Sequence, residues 1–490
     1  MIAFRIKNTD IKSNIFIPKY YDPHLDFELH DLSQNSNLIR IGECIQDGFI
    51  EVSTGDEIGK MAYGTGDIPF VRTSDISNWE IKTIPKQGVS VGIYESYNSN
   101  QDVRDKDILL VRDGTYLIGT NCFVTELDLP MLYQSHILKL RVLDEKKINP
   151  YLLFLALNTS LVQKQIRSIQ FTADIIDTIG NRFFDLVLPI PKGEKRKAEL
   201  VEHVQSLLEI RAKYKAVIKQ FPLLIENALA TGSTQAFDAF LEKSVVEMKK
   251  GLVQDTITLE FGDFTCFKIS SNEIKNNIFI PKYYDPSIDG ELNNLKDTCD
   301  LICFSELLKT GKVSISTGDE IGKLAYGTGD IPFVRTSDFS NWEIKHDAKQ
   351  GVSEAIYQQY ADKEDVKAND ILLVRDGTYL VGSSCIITNH DQKILFCGGL
   401  YKIRTEDASY LPPYLLLALL NSYIVKRQFR TKQFTRDVID TLGKRIEEVI
   451  LPIPKEPSVR KSISEKVEYI VTKRINARVE LKHLSSNMFI

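Results

Sequence analysis

Apolar side chains, interrupted by one arginine, fall at 3-4-3-4-3 spacing through Val204, Leu207, Arg211, Tyr214, Ile218 and Phe221, the pattern of a helix packed along another helix. Val467, Ile470, Arg474, Ala477, Leu481 and Leu484 repeat it, so two long helices of about 25–30 residues are predicted. Elsewhere the period shortens. Runs rich in β-branched and aliphatic residues at 68–71, 108–111, 122–125 and 137–142 are bounded by turn residues and predict strands. The glycine-rich stretch from Ser53 to Asp67 reads as a loop or hairpin leading into the first of them. Residues 151–167 read as helical, and 183–190 as an extended strand stopped by Pro189 and Pro191. The pattern is that of a mixed α+β domain followed by a long helix.

This pattern occurs twice. Ile68-Pro69-Phe70-Val71-Arg72-Thr73-Ser74-Asp75 returns as Ile331-Pro332-Phe333-Val334-Arg335-Thr336-Ser337-Asp338, an offset of 263 residues. The same offset carries Asp107 through Tyr116 onto Asp370 through Tyr379, and Leu188-Pro189-Ile190-Pro191 onto Leu451 through Pro454. About half of the positions between residues 4 and 193 are identical at this offset, which marks a duplicated domain and not a short solenoid unit. The expected organisation is a domain at 1–193, a central helical region at 194–263, a second domain at 264–456 and a C-terminal helix at 457–490. Residues 222–263 have no counterpart; 223–230 and 236–250 read as helical, broken by Thr231-Gly232-Ser233-Thr234. If the two seams pair antiparallel, the domains are expected at opposite ends, about a pseudo-twofold axis. Both seams carry an arginine at the same step, Arg211 and Arg474. Such a charge must either find a partner or lay its stem on the seam and its head in water.

Composition narrows the class. A chain of 490 residues is long enough for two to four domains, and 43% hydrophobic with 26% charged residues is that of an ordinary globular protein. No apolar run approaches the roughly 18 residues of a membrane span. The N-terminus lacks the basic-then-apolar shape of a signal peptide, so a cytoplasmic location is expected. Seven cysteines are too few for a disulfide scaffold in this length. Cys299, Cys303, His390 and Cys397 form a conceivable zinc set, but the first copy has Ser36, Arg40, Leu127 and Gln134 there. Small buried hydrophobes are the favoured reading of the cysteines. The net charge of −5 leaves room for a local basic groove.

The duplication also filters candidate chemistry. All seven histidines, His24, His30, His136, His203, His346, His390 and His483, face a different residue type in the other copy. A duplicated enzyme relying on histidine is therefore not expected. The Gly64-Thr65-Gly66 loop precedes a strand instead of opening a helix, so the dinucleotide-binding context fails. Leu411-Pro412-Pro413-Tyr414 echoes a Pro-Pro-aromatic methyltransferase core, but the first copy offers only Asn149-Pro150-Tyr151. Asp75 with Glu80-Ile81-Lys82, repeated as Asp338 with Glu343-Ile344-Lys345, leaves a magnesium-dependent nuclease as one alternative. A duplicated protein-binding scaffold is another. The stretch 53–82 is rich in groups that meet nucleic acid. Lys60, Arg72 and Lys82 suit phosphates, Thr73, Ser74 and Asn78 can donate or accept, and Tyr63 and Trp79 can pack on sugar or base. The second copy supplies Lys323, Tyr326, Arg335, Thr336, Ser337, Asn341, Trp342 and Lys345. Arg112, Thr115 and Tyr116, with Arg375, Thr378 and Tyr379, form a further cluster on a turn after a strand. Arg72 and Arg112 can equally be structural arginines paired with Asp75 and Asp113.

Taken together, Gly66 through Ile76, Asp107 through Thr115, and Leu188-Pro189-Ile190-Pro191 running into a long helix resemble the specificity subunits of type I DNA restriction-modification systems. The resemblance covers nearly the whole chain. It implies two target-recognition domains, each binding one half of a bipartite site in double-stranded DNA, and two helices in an antiparallel coiled coil. Those helices would dock two adenine-N6 DNA methyltransferase subunits, with a restriction or translocase subunit as a further partner. It also implies a chain with no catalysis, metal or cofactor of its own: S-adenosylmethionine, ATP and magnesium would belong to the partner subunits. Residues 222–263 and the close similarity of the two copies depart from the family's usual pattern.

Overall fold

The computed structural model describes residues 4–11, 15–114, 116–173, 176–254, 267–377, 379–436 and 439–489. It divides into two compact units, Met1–Lys213 with Arg474–Ile490, and Tyr214–Lys473. Each unit holds one sequence repeat and a part of each long helix, and each is a mixed α+β structure.

In the first unit the run Ile108–Val111 is buried at all four positions, because it is an inner strand covered on both faces. The antiparallel sheet around it has the order Ile50–Thr54, Ile137–Val142, Ile108–Val111, Asn121–Phe123. Alternation along the strand separates two cores. Ile108 and Leu110 join Phe123, Leu138 and Leu140 under the apolar helix Pro150–Leu157. Leu109 and Val111 join Val71, Cys122 and Tyr133 on the other face. Each fully buried Leu, Val or Phe stabilises the fold by about 1.5–3 kcal/mol. The helix begins where Asn149 Oδ1 accepts from Tyr151 N at 2.9 Å and Pro150 opens the first turn. The predicted single helix over 151–167 is broken at Asn158. Thr159 caps a second helix, Ser160–Ile169, its Oγ1 accepting from Val162 N at 3.4 Å. On the far face, Ile68–Val71 lies antiparallel to Gln87–Val89 and parallel to Leu132–Tyr133. Residues 183–190 are not one strand: Gly180–Asp185 is a 3-10 turn, and Val187–Pro191 pairs with Ser36–Arg40 in a two-stranded ribbon that tolerates both prolines.

The second unit reproduces the topology. Val313–Thr317, Leu400–Thr405, Ile371–Val374 and Ser384–Ile386 form its four-stranded sheet. Leu373 pairs with Tyr401 as Leu110 pairs with Leu138, so register is kept across the duplication.

All twelve predicted seam positions are buried. The long helices are Glu194–Thr231, 38 residues, and Pro457–Ser486, 30 residues. The first is longer than its pattern predicts because it continues through Pro222. Burial of Phe221, Leu224, Ile225, Ala228 and Leu229 outweighs the roughly 3 kcal/mol that an interior proline costs. The helix ends at Thr231 before Gly232, which has φ of +64°, and Gln235–Glu242 and Val245–Gln254 follow. Within the first unit the helical segments run antiparallel: His203 Nε2 lies 2.7 Å from Glu480 Oε1, and Val204 and Leu207 share a core with Ala477, Leu481 and Leu484. Within the second, Tyr214 and Tyr469 meet edge to face at 5.8 Å, and Lys466 pairs with Asp238 at 2.8 Å.

The seam arginines are paired. Arg211 Nη1 donates to Arg474 O and Arg474 Nη1 to Arg211 O, both at 3.1 Å. Glu80 closes the cluster, with Oε2 3.2 Å from Arg211 Nη2 and Oε1 accepting from Arg474 Nη2. Among the described residues no helix is long and apolar enough to cross a membrane.

Candidate nucleic-acid interface

The glycine-rich stretch leaves strand Ile50–Thr54 at Gly55, where a Cβ would collide with the Tyr133 carbonyl; Gly318 meets Phe396 in the same way. This close approach seats the loop on the end of strand Leu132–Tyr133. Gly59 and Gly64, both at φ +72°, then frame the turn Lys60–Ala62. Ala62 is buried, and Thr65 Oγ1 donates to its carbonyl at 2.8 Å. Tyr63 packs on Phe70 at 5.6 Å, and Tyr326 on Phe333 likewise, so these tyrosines are half committed to packing. Lys60 and Met61 face solvent, as do Lys323 and Leu324.

Arg72, Thr73 and Ser74 follow strand Ile68–Val71 and are partly exposed. Asp75 is wholly buried and turns the backbone around itself: Oδ2 accepts from Arg72 N at 3.1 Å and Oδ1 from Lys86 N at 3.3 Å. Arg72 Nε stands 3.9 Å from Asp75 Oδ2, and Arg335 Nε 3.5 Å from Asp338 Oδ2. Both Nε atoms are buried without a hydrogen-bond partner among the described residues. Each guanidinium is thus held against a wholly buried carboxylate.

Arg112 and Arg375 are held more firmly. Arg112 Nε and Nη2 donate to Asp113 Oδ2 at 2.9 and 2.7 Å, and Thr178 Oγ1 donates to Asp113 Oδ1 at 2.5 Å. Arg375 Nε donates to Asp376 Oδ2 at 2.9 Å, and Thr441 Oγ1 to Asp376 Oδ1 at 2.6 Å. Burial raises the Asp113 carboxyl, but hydrogen bonds from Arg112, Thr178 and His136 outweigh it and hold the group below the usual carboxylate range. Both arginines keep close to a third of their side-chain surface exposed. They are structural pairs that also present a fixed, planar donor group.

One short turn joins the two arginine clusters. Gln134 N donates to Val71 O and Arg112 N to His136 O, each at 2.9 Å. Cys397 N and Arg375 N do the same to Val334 O and Gly399 O, again at 2.9 Å. The hairpin Phe171–Ala173 with Ile176–Thr178 pairs beside Asp113 and Gly114. These elements carry no known motif. The identity of 170–172 with 433–435 and of 176–178 with 439–441 is the signal that marks the hairpin.

Other candidates lie elsewhere. Asn78, Trp79, Asn341, Trp342 and Lys345 are buried and give a nucleic acid no access, which corrects the expectation that they touch it. Positive φ at Asn78 and Trp79 (+51° and +64°) turns the chain inward. Trp79 Nε1 donates to Asn158 Oδ1 at 2.9 Å, and Trp342 packs edge-on against Phe221 at 4.7 Å. Lys82 and Tyr116 are partly exposed and Tyr379 exposed. Thr115 and Thr378 lie outside the described residues. Glu80, the acid of the nuclease alternative, is buried against Arg211 and Arg474, and Asp75 against backbone N–H groups. Neither carboxylate points to open space for a metal ion. Cys299 and Cys303 sit at opposite ends of one strand, about 13 Å apart at 3.3 Å per residue. Cys299 Sγ lies by Leu229 O and Cys303 Sγ by Glu447 O, so the zinc set does not converge.

No protein-family model and no curated protein matches the chain. Solved structures do. The S subunit of a type I restriction-modification system from M. genitalium is 12% identical, with a TM-score of 0.34 over 92% of this chain and 93% of that one. A chain from a structure describing complex assembly and conformational transition of the type I restriction-modification system is 14% identical, at TM-score 0.28 over 93% and 96%. The HsdS subunit of Thermoanaerobacter tengcongensis is 14% identical, at TM-score 0.27 over 92% and 94%.

Proposed function

We propose that this chain reads double-stranded DNA sequence, each repeat contacting one half of a bipartite site, as the specificity subunit of a type I restriction-modification complex. The observation that carries the reading is duplicated: in each unit a partly exposed arginine, Arg72 or Arg335, is held with its buried Nε 3.9 or 3.5 Å from a wholly buried aspartate. It stands beside two hydroxyl residues and one backbone turn away from a second, carboxylate-oriented arginine. Arginine forks of this kind match the O6 and N7 acceptors of guanine, and Lys60 and Lys323 suit the flanking phosphates. The interface residues retained are Lys60, Tyr63, Arg72, Thr73, Ser74, Lys82, Arg112 and Tyr116 with their second-repeat equivalents, Lys345 excepted. The paired long helices are the surface for adenine-N6 methyltransferase subunits, two per chain. Methyl transfer and ATP-driven cleavage belong to those partners and a translocase, in the cytoplasm. The Arg211–Arg474–Glu80 cluster supports a non-catalytic role for Glu80, because it commits that carboxylate to holding the helices.

The test is binding of the full chain, alone and with any adenine-N6 methyltransferase found encoded by a neighbouring gene, to duplexes drawn from its host genome. Arg72→Ala is expected to weaken binding by about 1–3 kcal/mol and to relax preference at one half-site, with Arg335→Ala acting on the other. Wild-type complex without DNA affinity would favour a protein-binding scaffold. Magnesium-dependent cutting by the chain alone, lost in Glu80→Gln/Glu343→Gln, would favour the nuclease.

A further inference from the structure

We infer that the turn 134–136, with its equivalent 397–399, is the element that makes the two half-sites differ; this rests on the DNA reading above. The frame around the turn is the same in both units. Leu132 and Tyr133 pair with Phe70 and Val71 as Leu395 and Phe396 pair with Phe333 and Val334. The turn's backbone is anchored to the ends of both arginine-bearing strands by the same two 2.9 Å hydrogen bonds. Within that frame the three side chains change completely, from Gln134-Ser135-His136 to Cys397-Gly398-Gly399. All six residues are partly exposed.

The change alters what the surface can recognise. Gln134 carries a carboxamide with no hydrogen bond to any described residue, and Ser135 is tied to Glu57. His136 Nδ1 lies 3.0 Å from Asp113 Oδ2, so the ring joins the Arg112–Asp113 pair through the shared carboxylate oxygen. In the second repeat both glycines strip the turn to backbone. A Cβ at Gly399 would sit 3.1 Å from Thr336 Cγ2 and 3.9 Å from Asp376 Cβ, so Thr336 crowds the position from which His136 projects in the first repeat. A glutamine amide matches the N6 and N7 groups of adenine, whereas a thiol and bare backbone have no comparable directional pair. The first repeat therefore prefers adenine at the base pair facing this turn, by roughly 5- to 150-fold, and the second does not.

Selection from a random duplex library by the full chain, alone and with any adenine-N6 methyltransferase found encoded by a neighbouring gene, tests this. Wild type is expected to select two half-sites alike except at one or two base pairs. The triple variant Gln134→Cys/Ser135→Gly/His136→Gly should erase that difference, and Cys397→Gln should create an adenine preference in the second half-site. The single substitution keeps the question open to measurement if the triple variant does not fold. Selection by both variants of the wild-type sequence, unchanged, would overturn the inference while leaving DNA reading intact. Failure of the wild type to select any sequence would instead overturn the DNA reading beneath it.

Discussion

Glu364 is a buried acid whose counterpart in the first repeat is Gln101. Gln101 is fully used: Oε1 accepts from Tyr133 N at 2.8 Å, while Nε2 donates to Tyr133 O at 3.0 Å and Asp56 Oδ2 at 2.9 Å. Glu364 accepts from Phe396 N at 2.9 Å and Asp319 N at 3.2 Å, but when ionised it has nothing to donate. Burial, with Asp319 nearby, outweighs those two hydrogen bonds and pushes its carboxyl from the ordinary 4.5 up to about 8. The folded chain therefore keeps this proton to about pH 8, while the unfolded chain releases it near 4.5. Stability from the protonated carboxyl is fully present below pH 4.5, falls as pH rises, and is lost above about pH 8. At 1.36 kcal/mol per pH unit the whole window corresponds to about 5 kcal/mol. Glu364→Gln replaces the acid by the neutral isostere already used in the first repeat. It should match wild type near pH 5 and gain stability progressively toward pH 9. Denaturant unfolding of the full chain at pH 5, 7 and 9, with amide exchange at Asp319 and Phe396, measures this. A wild-type-to-variant difference that stays constant with pH would refute the assignment of a raised carboxyl.

Glu80→Ala leaves Arg211 and Arg474 buried without their shared carboxylate and should cost about 3–5 kcal/mol in chemical unfolding; a change under 1 kcal/mol would mean that water reaches the cluster. Leu153→Ala removes a fully buried side chain from the first unit's core and should cost about 2–5 kcal/mol by the same assay. Lys60→Ala should weaken DNA binding evenly across sequences and lower the salt slope by about 1, as removal of one phosphate contact requires. An altered base preference in that variant would assign Lys60 to base reading.

The parts of the fold set by local periodicity were legible in the chain. The heptad spacing placed all twelve seam residues, and the strand patterns located Ile68–Val71 and Ile108–Val111. What escaped depends on tertiary contact. Trp79 and Asn78 look like surface groups beside a Ser-Asn turn, yet left-handed backbone turns them inward toward Asn158, 79 residues away from Trp79. The partner of Arg474 is Glu80, 394 residues distant, and no spacing rule links them. The seam helix and the helical stretch at 223–230 are joined without a break through Pro222, because the apolar residues beyond it have a core to enter. The turn at 134–136 lies in the segment 121–150, whose divergence between the copies is legible in the sequence; what singles out these three residues is the matching frame of strand pairs and hydrogen bonds around them.

The central claim is most directly tested by mapping methylated adenines in host cells with and without this chain's gene. A bipartite, interrupted near-palindrome, its two halves alike except at one or two base pairs, should carry methylation that vanishes on deletion. Methylation unaffected by the deletion, or lost from a site with unrelated halves, would contradict the account.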